Sequence, residues 1–289
     1  RASPQAVARG VQAIAVVVLL AAAVVTHELK ARLEHSRSVL AQSPTHTYIE
    51  ALGGYLHNDW VPHVRLALAH ASDSVLEEYW GLWSAASHRP GVARVDALIH
   101  ALGIEREAYL ARLAARPRRV ITSAYNPEIE GLREWQPWSV SANYDFWAPL
   151  FAHYMPRRTS PSTVVWEPRA TPAIMPEVGC SLAPGGLLLH TATPGDYEVT
   201  LIRAQPPHAT PRLRWFVQNR LNYAFDSNGW LSLNPRAAEQ RFPVRMHHAD
   251  EARIALRANP PGTPLPVLAG CEARRLPAMP EYVMPPLTP

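Results

Sequence analysis

From Gly10 to His27 the chain carries no Asp, Glu, Lys or Arg, and Ile14 to Val25 is an unbroken run of Ala, Val, Leu and Ile. As a helix this stretch rises about 27 Å, close to the hydrocarbon thickness of a bilayer. A helix of a soluble core keeps a polar stripe, and none exists between Ala13 and Val25. A cleavable signal sequence needs a small-residue break soon after its apolar centre. Here the run passes through Val24, Val25, Thr26 and His27 straight into the charged, helix-forming stretch from Glu28 to Arg37. The expectation is a transmembrane helix over 10–27, with the lipid bilayer as partner, and a helical extension over 28–44 that stops at Ser43-Pro44. Arg1 and Arg9 precede the span and mixed charges follow it, which favours a cytoplasmic N-terminus, with the bulk expected outside.

The 289 residues are 47% apolar, enough for two further domains with cores of their own. Only 18% are charged, and the formal charge of +4 is spread out without a dense Lys/Arg run, so nucleic acid is excluded as a partner. Cys180 and Cys271 are the two cysteines. In an exported chain they are expected to pair, closing a long loop worth on the order of 4 kcal/mol, with two buried free thiols as the alternative. The chain opens on an arginine and is read as a piece of something longer that could supply upstream membrane helices.

Over 45–168 helical and strand-like pieces alternate. Thr47 to Trp60 reads as a helix, with Tyr48, Leu52, Tyr55 and Leu56 at helical spacing. Ser74 to Tyr79 reads as a short strand or helix start, Arg94 to His100 as a buried strand, Glu105 to Ala115 as an amphipathic helix, Arg118 to Ser123 as a strand, Ser141 to Tyr154 as a helix and Thr163 to Trp166 as a strand. That alternation predicts an α/β domain built on a mostly parallel sheet. Over 169–275 short apolar runs are separated by turn signals: 187–190, 197–203, 213–218, 221–225, 230–233, 242–246, 252–256 and 266–269. They predict an all-β domain, an antiparallel β-sandwich. The Pro-rich tail, 276–289, reads as extended or disordered. The fold class expected is α/β plus all-β behind an N-terminal transmembrane helix.

Candidates for catalysis are Glu77, Glu78, Asp96 and His100, an acid/base set that could act if it converged in space. The competing reading of Asp96 as a local cap and His100 as a strand-end residue is favoured. Candidates for binding a sugar are the aromatics Trp80, Trp135 and Trp138 with Asn143 at a ring edge, against ordinary core packing. No zinc spacing, nucleophile elbow, phosphate loop or dinucleotide fingerprint is present, so neither a metal nor a cofactor is expected.

The order Glu78-Tyr79-Trp80-Gly81-Leu82, then Val95-Asp96-Ala97-Leu98-Ile99-His100-Ala101-Leu102-Gly103, then Arg119-Val120-Ile121-Thr122, then Asn143-Tyr144-Asp145-Phe146-Trp147 with His153-Tyr154-Met155-Pro156 resembles the extracytoplasmic C-terminal region of polytopic bacterial inner-membrane proteins that are glycosyltransferase-like and use polyprenyl-phosphate-linked sugars. The resemblance covers about residues 10 to 170. It implies that Gly10 to His27 is a last membrane helix and that the rest is periplasmic. It further implies that catalysis lies outside this chain, whose role is to bind or position a glycan or lipid-linked sugar. The alternatives are a single-span envelope binding or scaffold protein, and an envelope hydrolase using the acid/base set.

Overall fold

The computed structural model describes residues 4–69, 75–78, 81–88, 98, 101, 103–190, 193–204, 238–247, 253–255 and 267–285. The chain divides into two compact units, 1–61 and 62–289.

The first unit begins with one long helix, α1 (Pro4–Ala41), of about 57 Å. Ile14, Val16, Val17, Val18, Leu19, Leu20, Val24 and Val25 are all exposed on it, on every side. None of the unit's described residues covers this surface, and Ile14–Ala41 is long and apolar enough to cross a membrane. Inside the span the Thr26 hydroxyl donates to the Ala22 carbonyl at 2.7 Å, so that hydroxyl does not face hydrocarbon unpaired. After α1 the chain forms a hairpin of β1 (His46–Ile49) and β2 (Gly54–His57), in place of the helix expected over 47–60. The turn residue Gly53 has φ +61°, which a side chain would resist, and its N–H closes on the Glu50 carbonyl. Tyr48 and Tyr55, which mimic helical spacing in sequence, are directly opposite across the hairpin with edge-on rings 5.2 Å apart.

In the second unit α2 (Val61–Ala69, all but its first residue) leads to β3 (Val75–Glu77), α3 (Leu82–Ser87), α4 (Ile104–Ala114), β4 (Arg119–Ser123), α5 (Glu130–Ala142), α6 (Tyr144–His153), β5 (Tyr154–Ser160) and β6 (Thr163–Pro168). The strands form a four-stranded sheet in the order β3-β4-β6-β5. Only β3 and β4 run parallel; β4-β6 and β5-β6 are antiparallel, which corrects the expectation of a mostly parallel sheet. The physical reason is β5: it leaves α6 directly and folds back on β6 through a tight turn at Pro161-Ser162, where a parallel strand would need a crossover. Ala67, Val75, Trp83 and Ile121 pack on one face of the sheet. On the other, Leu76, Val120, Val164 and Trp166 meet α4, α5, α6 and Leu276, Met279, Tyr282 and Met284 of the C-terminal segment.

The rest of the unit contains β7 (Glu177–Ala183), β8 (Gly186–His190), β9 (Gly195–Arg203), β10 (Glu239–Met246), β11 (Arg253–Ala255) and β12 (Leu268–Arg275), antiparallel in the order β10-β9-β12-β7-β8-β11. The strands expected at 213–218, 221–225 and 230–233, like the one at 94–100 apart from Leu98, lie outside the described residues. Tyr197, Val199 and Leu201 of β9 point into a core with Leu187, Leu189, Phe242 and Val244. Beside it Cys180 of β7 and Cys271 of β12 are joined by a disulfide, Cα to Cα 5.7 Å. Helix α6 packs against β10, so the two sheets are tied together within this unit.

Candidate functional site

Glu77 closes β3 and Glu78 follows it, and successive residues of an extended chain point to opposite faces. Their carboxyls accordingly enter different layers. Glu77 turns toward α2, where its Oε1 lies 2.6 Å from His63 Nε2 and its Oε2 accepts the Trp83 N–H at 2.9 Å. His63 is fully buried, and its Nδ1 lies 3.2 Å from the Thr163 hydroxyl on β6. The Glu77 backbone carbonyl accepts a hydrogen bond from the Tyr109 hydroxyl of α4.

Glu78 turns toward α5. Its Oε1 accepts from the Ser139 hydroxyl at 2.5 Å, and its Oε2 accepts from the Ser123 N–H at 3.2 Å and the Ser123 hydroxyl at 2.9 Å. Gln136, one turn before Ser139, donates its amide N–H to the Ser123 hydroxyl. Burial is the largest influence on the Glu78 carboxyl and raises it above the ordinary carboxyl value; the hydrogen bonds from Ser139 and Ser123 and the nearby His63 pull the other way and lose. The sequence signal for this arrangement is two acids closing an apolar strand; His63, Ser123, Gln136, Ser139 and Thr163 carry none, being ordinary residues until the fold brings them together.

The raised carboxyl has a defined consequence. Between the lower unfolded value and the raised folded one the native state holds a proton that the unfolded chain has lost, so stability falls as pH rises through that window. Glu78→Gln, neutral at every pH, is expected to flatten this slope. Unfolding free energies of both proteins from pH 4 to 8 check it, and equal slopes in the two would refute it.

Of the other sequence candidates, Trp80, Asp96, His100 and the side chains of Trp135 and Trp138 lie outside the described residues. Asn143 is buried at the break between α5 and α6. Its amide N–H donates to the Ser139 carbonyl at 3.0 Å and its Oδ1 accepts from Arg106 at 2.7 Å. Arg106 also pairs with Asp145 in the first turn of α6, where a carboxylate complements the helix dipole. Asn143 and Arg106 thus fasten α4 to the α5-α6 corner.

A second polar layer lies on β9 and β10 and faces Tyr144 of α6. Asp196 and Arg245 are cross-strand partners on β9 and β10 with paired contacts of 2.8 and 3.0 Å. Next to them the Glu198 carboxylate is buried, and the Tyr144 phenol is held well above its usual value first by burial and then by Glu198. Among the described residues no group of three or more His, Cys, Asp or Glu could hold a metal ion. Glu77 and Glu78, the described acids of the candidate set, are engaged in holding layers together. No protein-family model matches the sequence, and no curated protein or solved structure matches it significantly.

Proposed function

We propose that this chain is the membrane-anchored, extracytoplasmic accessory part of a glycosyltransferase-like envelope protein, binding or positioning a glycan while the bond-making chemistry lies elsewhere. The observation that carries the reading is α1, whose apolar surface is exposed all round and is long and apolar enough to cross a bilayer. The disulfide between Cys180 and Cys271 supports an oxidising compartment for the residues beyond it. A binding role is favoured over hydrolysis because Glu77 and Glu78 point to opposite faces of the sheet, each into its own buried network, and cannot act on one bond together. The sequence resemblance supplies the glycan.

Topology is the first test. Alkaline phosphatase, which matures only outside the cytoplasm, is expected to be active when fused after residue 289, and a green fluorescent protein fused there by the general secretory route is expected to stay dark. The reverse pattern would sink the reading. Retention of the detergent-solubilised protein on immobilised envelope polysaccharide tests the glycan half, and failure to bind any such polymer would remove it.

A further inference from the structure

We propose that the Cys180–Cys271 bond is a reducible clasp, and that its cleavage by a dithiol lets β7, β8 and β11 part locally from β12 while the rest of the unit stays folded. The three strands form one leaf of the six-stranded sheet and are tied to each other. Residues 179–183 of β7 pair with β8, and residues 186–188 of β8 pair with β11. The Arg253 guanidinium of β11 donates to the Pro184 carbonyl at the β7-β8 turn at 3.0 Å, and His190 Nε2 lies 3.0 Å from the Ser181 hydroxyl across the hairpin. A Cβ on Gly179 would meet the His190 Cβ at 3.0 Å, so the missing side chain lets β8 close on β7.

Toward the rest of the sheet the leaf is held by less. Among the described residues β7 and β12 share two registered pairs, Glu177 with Arg274 and Val178 with Ala273, extended by the Arg275 N–H, which donates to the Pro176 carbonyl. The Arg274–Glu177 ion pair, 3.8 Å apart and exposed, adds little. Continued by the same count, this register sets Cys271 opposite Cys180, beyond the last registered pair. Strand β12 is itself irregular there, since its pairing with β9 shifts between Leu268 and Gly270. The covalent bond thus takes over where the hydrogen-bonded ladder stops. Neither cysteine is fully buried, and partial exposure separates reducible disulfides from those sealed in a core. The simpler explanation is a staple that only adds stability, because Leu187 and Leu189 of β8 also hold the leaf by packing on Tyr197, Val199 and Leu201. A staple lowers the stability of the whole unit when cut. A clasp at the end of a two-pair ladder lowers the cost of one local opening.

The chemistry is thiol–disulfide exchange. A thiolate of the dithiol attacks one sulfur, forming a mixed disulfide and expelling the other cysteine as thiolate; the second thiol then displaces the first cysteine. The dithiol leaves as a disulfide, and Cys180 and Cys271 each gain one electron and one proton. The inference does not depend on the glycan reading, and its test is separate. The whole chain in non-ionic detergent is treated with dithiothreitol without denaturant, the freed thiols are alkylated and counted by mass, and amide hydrogen exchange is followed by peptide. Both cysteines are expected to alkylate. Exchange in β8 is expected to quicken about tenfold or more, while β4, β6 and β9 keep their protection. Cys180→Ser/Cys271→Ser is expected to show the same local pattern without reductant; should it fail to fold, the reduced parent protein decides alone. A bond that yields only after denaturant overturns the proposal, as does a reduced protein whose β8 exchange is unchanged. Exchange that quickens equally in β4, β6 and β8 makes the bond a staple and overturns it too.

Discussion

Replacing His63 with alanine is expected to cost about 3–5 kcal/mol of stability, the range for breaking one side of a buried, hydrogen-bonded ionisable pair. The side chains of His63 and Glu77 are 1% and 6% exposed. Removing the imidazole leaves the Glu77 Oε1 unmet and takes one partner from the Thr163 hydroxyl, at a depth where water cannot replace it. It also cuts the polar link between α2 and the sheet face formed by Val75 and Ile121. The control is a double-mutant cycle with Glu77→Gln. Once the carboxylate is neutral its desolvation penalty is smaller, so the double variant should lose less than the two single losses added, by roughly 0.5–3 kcal/mol. Urea unfolding of the four proteins gives the cycle. A single-variant loss below about 1 kcal/mol would show that the pair does not hold the layers.

Why His63 escapes a reading of the sequence, while Glu77 does not, follows from how each signal is made. Two acids after Val75-Leu76 violate an apolar strand pattern locally, and a local violation is visible. Their partners are 14 positions away for His63 and 61 for Ser139, on other elements, and nothing in the residues themselves encodes that convergence. The same contrast runs through the fold. The apolar run of α1 is legible because a span needs only length and lack of charge. The hairpin of β1 and β2 is misread because Tyr48 and Tyr55, seven positions apart, fit two turns of helix as well as a cross-strand pair, although Gly53-Gly54 between them signals the turn. Strand β5 is invisible because Pro156, Arg157 and Arg158 look wrong for a strand, yet it is the edge of its sheet, where proline and charge are tolerated. Missing it turns an antiparallel return into an imagined parallel one.

The C-terminal segment, read from its prolines as extended or disordered, places four side chains in the core, and Tyr282→Ala is the variant that measures what they do. Tyr282 is 4% exposed. Its ring stacks on Trp147 at 6.0 Å and 28°, and lies 5.1 Å from Trp166 and 5.7 Å from Phe151. The segment has little backbone support: the Leu276 N–H donates to the Asp196 carbonyl, and the Tyr282 N–H only to Met279 within the segment itself. Leu276, Met279, Tyr282 and Met284 therefore hold it by side-chain burial, and they complete a core that the helices and the sheet leave open. Truncating the ring is expected to cost about 3–5 kcal/mol, the range for a large buried aromatic. Tyr282→Phe should separate ring from hydroxyl. The phenol is held well above its usual value, by burial first and then by the nearby Glu78 and Asp196, and its oxygen has no hydrogen-bond partner among the described residues. Deleting that oxygen removes an unmet polar group without opening a sizeable cavity, so Tyr282→Phe is expected to lie within about 1 kcal/mol of the parent, on the stabilising side. Chemical denaturation of the two variants reads both values. A loss of several kcal/mol in Tyr282→Phe would mean that the hydroxyl, rather than the ring, fastens the segment, and a negligible loss in Tyr282→Ala would mean that the core closes without it.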